Sequence, residues 1–170
     1  MFVKQRRKLF CLKSPKDFRL VYVHGKGLSL FTCKDFKKGE RVICLEGKKV
    51  LASGATPEAV QINEQYFLDT KYLVPGDFIN HSCNPNTKVD MENRWFIAIK
   101  NIKRNAEITY NYLTTEWDMK AYGTDFKCRC GSRDCIGLVR GFKYLNKRQR
   151  KQLEPLLSPF LLSKLPQRGI

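Results

Sequence analysis

The chain has 170 residues, 42% of them hydrophobic and 28% charged, with a formal net charge of +16; this suits one compact domain with a sizeable core and a small appendage. No uninterrupted apolar run approaches the roughly 18 residues of a membrane span, which argues against a helical membrane protein. The first thirteen residues, MFVKQRRKLFCLK, are charged and hold no apolar stretch of signal-peptide length, so a cytoplasmic or nuclear location is expected.

The chain opens on a basic arm, residues 1–17, with six Lys or Arg and no acid in its first sixteen positions. From 18 to 113 the pattern is rich in strands. LVYV (20–23), LSLFTC (28–33), RVICL (41–45), TKVDM (87–91), RWFIAI (94–99) and EITYNY (107–112) are short and dominated by β-branched or aromatic residues. Turn signals divide them: KDFKKG, the region of Asn93, and KRNA. Between them, residues 53–64 are expected to hold a short helical turn after Pro57. Past residue 140 the pattern changes. Asn146 followed by Gln149 predicts a capping box that opens a helix over NKRQRKQLE, closed by Pro155. Ser158 before Pro159 predicts a second helix start, for FLLSKL. Leu153, Leu156, Leu157, Phe160, Leu161 and Leu165 form the stripe that packs this tail down. Residues 138–170 carry eight basic residues and one acid, whereas 17–137 carry 18 basic and 15 acidic ones. Basic ends on a nearly neutral middle suit non-specific contact with nucleic acid or an acidic partner, or simple solvation; the middle is not a basic groove.

Seven cysteines without a secretion signal point to thiols or metal ligands rather than disulfides. Cys128, Cys130 and Cys135 stand in a C-x-C-x4-C spacing, in which a Gly131-Ser132 turn brings the third sulfur back toward the first two. Zinc in a closed structural site takes four tetrahedral ligands, and thiolates suit it. Candidates for the fourth are Cys11, Cys33, Cys44, Cys83, His24 and His81. Cys83 is the best of these on local grounds, because it sits in the polar, proline-turned loop NHSCNPN (80–86), while Cys33 and Cys44 fall in apolar strand runs. HGKGLSLF (24–31) holds a G-x-G between two strands, which alone is a hairpin turn. EITYNY places Tyr110 and Tyr112 on one face of a strand by alternation.

The order of these pieces (G-x-G, N-H-S-C-x-P-N, a Glu-led strand ending Y-N-Y, then C-x-C-x4-C) resembles a SET-domain protein-lysine methyltransferase with a post-SET zinc segment. The resemblance covers about His24 to Gly137. It implies a mainly β fold of short sheets with a pseudoknot over residues 18–123, a zinc-bound post-SET loop over 124–141, and here a basic helical tail over 142–170. It implies S-adenosylmethionine bound through Gly25, Lys26, Gly27, Leu28, Asn80 and His81, with Leu138 closing over it. Zn(2+) would be held by Cys83, Cys128, Cys130 and Cys135. A substrate lysine would enter from the opposite face through a narrow channel to Tyr112, with Tyr110 influencing how many methyl groups are added; a tyrosine there favours mono- or dimethylation. Leu45 stands where many such enzymes have a tyrosine, so one aromatic wall of the channel is expected to be missing. A bare basic tail would be repelled by a charge of +16, which favours a substrate already complexed with nucleic acid: a histone, another chromatin protein or a ribosomal protein. The alternative is a catalytically silent SET module that binds protein or nucleic acid, against which Asn80, His81 and Tyr112 count.

Overall fold

The computed structural model describes residues 16–166; residues 1–15 of the arm expected at 1–17, with Cys11, and the last four residues of the tail expected at 142–170 lie outside the described residues. The chain folds into small sheets of short strands. β1 (Phe18–Val23) and β2 (Gly27–Thr32) form an antiparallel hairpin, paired from Phe18↔Thr32 to Val23↔Gly27. Its turn needs Gly25 and Gly27, whose φ angles of 79° and 86° lie in the left-handed region. Alternation sends Leu30 fully into the core. β3 (Arg41–Cys44), β8 (Thr87–Asp90) and β9 (Trp95–Ala98) make a three-stranded antiparallel sheet in the order β3-β9-β8. β4 (Lys48–Leu51), β5 (Val60–Gln61) and β6 (Tyr66–Asp69) make another, in the order β4-β6-β5.

Two short strands far apart in sequence join these units. β7 (Asn80–His81) pairs parallel with β10 (Thr109–Tyr110), Asn80 opposite Thr109 and His81 opposite Tyr110. A two-residue ladder is weak alone, and side chains reinforce it. Asn86 Nδ2 donates to Glu107 O at 2.7 Å and Asn86 Oδ1 accepts from Thr109 N–H at 2.8 Å. Thr87 Oγ1 donates to Thr109 O at 2.9 Å. The expected knot rests on this crossing. The strand expected to run through Tyr112 ends at Tyr110: the buried Asn111 caps a turn, its carboxamide oxygen accepting from Leu113 N–H, and Tyr112–Thr114 is a 3-10 turn. A side-chain acceptor two residues upstream competes with further strand pairing.

The other expected strands form at their places within a residue or two. Not expected were β4, β5 and β6, whose sequences KKVL, VQ and YFLD are short or charged. The helical turn expected after Pro57 lies instead at Ala52–Gly54; past Pro57 the chain enters β5.

The tail begins where β11 (Phe126–Lys127) and β12 (Leu138–Val139) close an antiparallel hairpin. The Asn146–Gln149 capping box forms in both directions at 2.9 Å and opens α1 (Lys147–Leu153), while Pro155 sits in the 3-10 turn that follows. Ser158 caps α2 (Pro159–Ser163) through Leu161 N–H. Leu157 and Leu161 are buried against Leu113, Val139, Phe142 and Leu145, with Leu153, Phe160 and Leu165 packed at the edge; Leu156 is outside that cluster. Burial of the two leucines stabilises the docking by roughly 2 kcal/mol each. Among the described residues no helix is long and apolar enough to cross a membrane.

Gly141 sets the tail's course. At φ 115° and ψ 160° it occupies a region that only glycine tolerates, and a Cβ there would meet Trp117 O at 2.4 Å. The close approach lets Phe142 N–H reach Glu116 O at 2.8 Å and Lys143 N–H reach Trp117 O at 3.0 Å. Gly141→Ala is expected to destabilise the domain by roughly 3 kcal/mol through strain and overlap. Gly123→Ala, also at positive φ but facing open space, should cost only about 1 kcal/mol. Urea unfolding of the two variants checks the difference.

Candidate active site

The sulfurs of Cys83, Cys128, Cys130 and Cys135 all lie within 4.8 Å of one another. A tetrahedral zinc with Zn–S bonds near 2.3 Å would space its sulfurs about 3.8 Å apart, and Cys83 and Cys128 are 3.9 Å apart. The hairpin of β11 and β12 gathers three of them: Cys128 N–H closes it onto Gly137 O at 2.9 Å, and Gly131 makes the turn at φ 72°. Cys83 joins from the loop after β7, where Ile136 N–H points at its sulfur at 3.4 Å. Burial pushes the Cys83 and Cys128 thiols up; at Cys130 burial also acts upward, but backbone hydrogen bonds from Cys83 and Ser132 and the neighbouring Cys128 and Cys135 thiols together bring it down. Four thiolates side by side need a cation, and the donor set fits zinc. Among the described residues Cys33, Cys44 and His24 stand outside the group.

His81 touches this cluster without joining it. Tyr112 N–H donates to His81 Nδ1 at 3.2 Å, so the ring proton sits on Nε2, which faces Cys83 Sγ at 3.3 Å. Burial holds the imidazole neutral, with its pKa lowered to about 4. Phe126 and Tyr112 pack edge-on against the ring, at centroid distances of 5.8 and 5.4 Å. The ring of His81 is therefore engaged as a link between β7, Tyr112 and a sulfur.

The G-x-G turn lies beside the same hairpin: a Cβ on Gly25 would come within 3.2 Å of Arg129 Nη1. Lys26 Nζ turns back to Glu107 Oε2 at 2.7 Å, which leaves the backbone of the turn, not this ammonium, to meet a ligand. Asn80 Nδ2 donates to Leu28 O at 3.0 Å and Ser29 Oγ at 2.7 Å, and so fastens β7 to the start of β2. Leu28 and Leu138 are exposed at 38% and 43%. Two positive-φ glycines with free space at Gly27, and apolar side chains left open, fit a cradle for a molecule with both polar and apolar ends.

On the other side Tyr112 and Tyr110 line a cavity of about 930 Å³. Their rings are 4.7 Å apart, although only Tyr110 remains in a strand. Tyr112 Oη donates to Ile79 O at 3.0 Å, and burial holds both phenols well above their ordinary pKa. Leu45 is buried on the wall, so the aromatic expected to be missing there is missing. Phe67 and Tyr122, an edge-to-face pair at 5.4 Å from other elements, also line the cavity. The space sits at the upper end of small-molecule sites, about 300–1,000 Å³.

Sequence reasoning missed the acids of this wall. Glu46, Glu58, Asp77 and Glu116 line it against one cation, Lys120. Burial raises Asp77 to about 6 and Glu116 to about 7. Glu116 follows Tyr112 by four residues, and its N–H returns to Tyr112 O at 2.9 Å, a contact that no local pattern signalled.

The SET domain family model matches residues 27–113. A histone-lysine N-methyltransferase of Mycosarcoma maydis, H3 lysine-36 specific, is 28% identical over 160 residues, covering 80% of this chain and 16% of that protein. A histone-lysine N-methyltransferase of Emericella nidulans, H3 lysine-4 specific, is 35% identical over 148 residues, covering 75% of this chain and 12% of that protein. The chain thus spans less than a fifth of the length of either relative. Among solved structures, KRYPTONITE in complex with mCHG DNA and SAH matches at a TM-score of 0.60 and 22% identity, over 71% of this chain and 28% of that one; this likeness shows the fold.

Replacement of Cys83 by serine is expected to reduce bound zinc from one equivalent to near none and to loosen residues 126–139, whereas Cys33→Ser should retain the metal. Elemental analysis of the purified variants, with hydrogen exchange of the hairpin, reads both.

Proposed function

Because the chain belongs to the SET-domain family, we propose that it is an S-adenosylmethionine-dependent protein-lysine N-methyltransferase with a zinc-stapled post-SET segment. The observation that carries this reading is the position of Tyr112. Its ring lines the cavity with Tyr110, while its backbone is tied through His81 to the cysteine cluster beside the G-x-G turn. One residue therefore stands between two candidate binding faces.

When bound, S-adenosylmethionine supplies an activated methyl group. The backbone of Gly25, Lys26, Gly27 and Leu28, together with Asn80 and the main chain of His81, would hold its methionine end, and Leu138 would close over it. Transfer to an amine is an in-line displacement, so the protein's task is mainly positioning. Tyr112 orients the substrate nitrogen. Its phenol and that of Tyr110 stay protonated near neutral pH, since burial raises both; the Tyr112 hydroxyl, whose proton goes to Ile79 O, is left to accept an N–H of the amine, which keeps the nitrogen lone pair free. Tyr110 crowds the amine and limits the methyl count to one or two.

The relatives' names support a histone or other chromatin protein as substrate and a nuclear location; a ribosomal protein has the same chemistry. The division into arm (1–17), SET domain (18–123), post-SET segment (124–141) and tail (142–170) belongs to this reading. The basic termini would contact phosphates of the nucleic acid that accompanies the substrate, an attraction that weakens with salt.

Incubation with radiolabelled S-adenosylmethionine and nucleosomes, ribosomes or bulk cell protein tests the reading. Label is expected in lysines, and Tyr112→Phe should lower it on the order of 10²-fold; absence of cofactor binding would sink the proposal. In mass spectra of the product, Tyr110→Phe should shift the population toward trimethyl-lysine, against mono- and dimethyl-lysine for the unaltered protein.

A further inference from the structure

Glu116 is a buried carboxylate for which the roles above have no use. It is 9% exposed and lies on the wall shared with Tyr110 and Tyr112. Gln61 N–H donates to its Oε1 at 3.0 Å, and Gln61 itself is held by accepting Trp117 N–H at 2.8 Å. Glu116 N–H binds Tyr112 O, and Phe142 N–H binds Glu116 O, so its backbone is fixed from both sides. None of the ion pairs among the described residues includes it. A carboxylate taken from water without a cation costs several kcal/mol, roughly, and it is satisfied when a cation enters. An incoming lysine ammonium supplies one. The chain as a whole is at +16, yet this cavity has four acids and one lysine; the sign is reversed where an amine must enter.

Resting on the methyltransferase reading, we propose that Glu116 is the group that receives the substrate amine as a cation and takes its proton. The N–H bond of the ammonium breaks, its electron pair stays on nitrogen as the lone pair needed for attack, and the proton forms an O–H bond on Glu116. Ammonium plus carboxylate become neutral amine plus carboxylic acid. The titratable groups that line this cavity beside it are the phenols of Tyr110, Tyr112 and Tyr122, the Cys44 thiol, the carboxyls of Asp77, Glu58 and Glu46, and Lys120. The phenols of Tyr110 and Tyr112 keep their own protons near neutrality, held up by burial first and by the Glu116 charge among the next causes, so neither offers a phenolate to take another. Asp77 is raised to about 6 by burial, but its Oδ2 is occupied by Val74 N–H and Thr70 Oγ1, both at 2.9 Å, in the cap of its own turn. Glu116, raised by burial to about 7 against the pull of Gln61 N–H and Thr115, exchanges a proton in the working range.

Carbon-13 labelling of glutamate carboxyls, with E116Q to identify the signal, reads this group without any turnover. A midpoint near 7 is expected, lowered by at least about one pH unit when Nα-acetyl-lysine amide is added, because a neighbouring cation favours the carboxylate. A midpoint in the ordinary glutamate range, or one that the probe does not move, overturns the proposal. In the methyl-transfer assay the unaltered protein should gain activity as pH rises through 7. E116Q, which keeps an acceptor for Gln61 N–H, should lose on the order of 10²-fold at pH 7 and recover as pH approaches the amine's own pKa, about 10.4. An equal loss at every pH, with unchanged zinc content and circular dichroism, would mark a merely structural role and overturn it. Failure of the methyltransferase reading shows separately, as absent cofactor binding in calorimetry, while the carboxyl titration still decides on Glu116.

Discussion

The ring of His81 is the joint on which the rest of the site depends. One nitrogen accepts the backbone N–H of Tyr112 and the other faces the sulfur of Cys83. The first bond fixes the tautomer, and the tautomer decides that a donor faces sulfur. Desolvation keeps the ring neutral, so the arrangement does not change sign near physiological pH. Beyond the two-residue ladder of β7 and β10 and the bonds of Asn86 and Thr87 that reinforce it, this ring is what carries the crossing on to Tyr112 and the cysteine cluster.

The two faces of Tyr112 have different physics. Toward the hairpin of β11 and β12 the chain is built from backbone turns, thiols and a neutral imidazole, all of which suit a fixed metal and a cradled ligand. Toward the cavity it is built from aromatic walls and acids. The net charge would mislead as a guide to this side, because the Lys and Arg excess sits largely at the termini and on exposed loops, while the lining of the cavity is acidic. Long-range charge governs approach, and the local field governs which group stays inside.

The tail is part of the same construction. Ser158 N–H binds Thr114 O, and Phe142 and Lys143 bind Glu116 and Trp117, so the helical segment clamps the turn that follows Tyr112 from the outside. Leu157, Leu161 and Phe142 give this clamp its apolar weight. The glycine at 141 is required because the two backbones come too close for any side chain.

Much of this was legible in the chain because it is encoded over a few residues. The strands of β1, β2, β3, β8 and β9 follow from β-branched and aromatic runs between turns, the start of α1 from Asn146 and Gln149, and the gathering of Cys128, Cys130 and Cys135 from their spacing, although the strands β11 and β12 that frame them were not foreseen. The sequence also put Cys83 first among candidates for the fourth sulfur, since only it lay in a polar loop. What it could not determine are features whose cause is a partner far along the chain. β5 and β7 are two residues long and exist only because β6 and β10 lie beside them. The ladder ends at Tyr110 because Asn111 caps a turn, yet the two phenols still meet across the bend. Glu116 reads as one more polar residue in TTEW; its burial, its hold on Gln61 and its place beside the tyrosines came from packing. Local pattern fixes which backbone states are cheap, whereas desolvation, and with it the charge and proton affinity of a site, is set only when distant segments exclude water together.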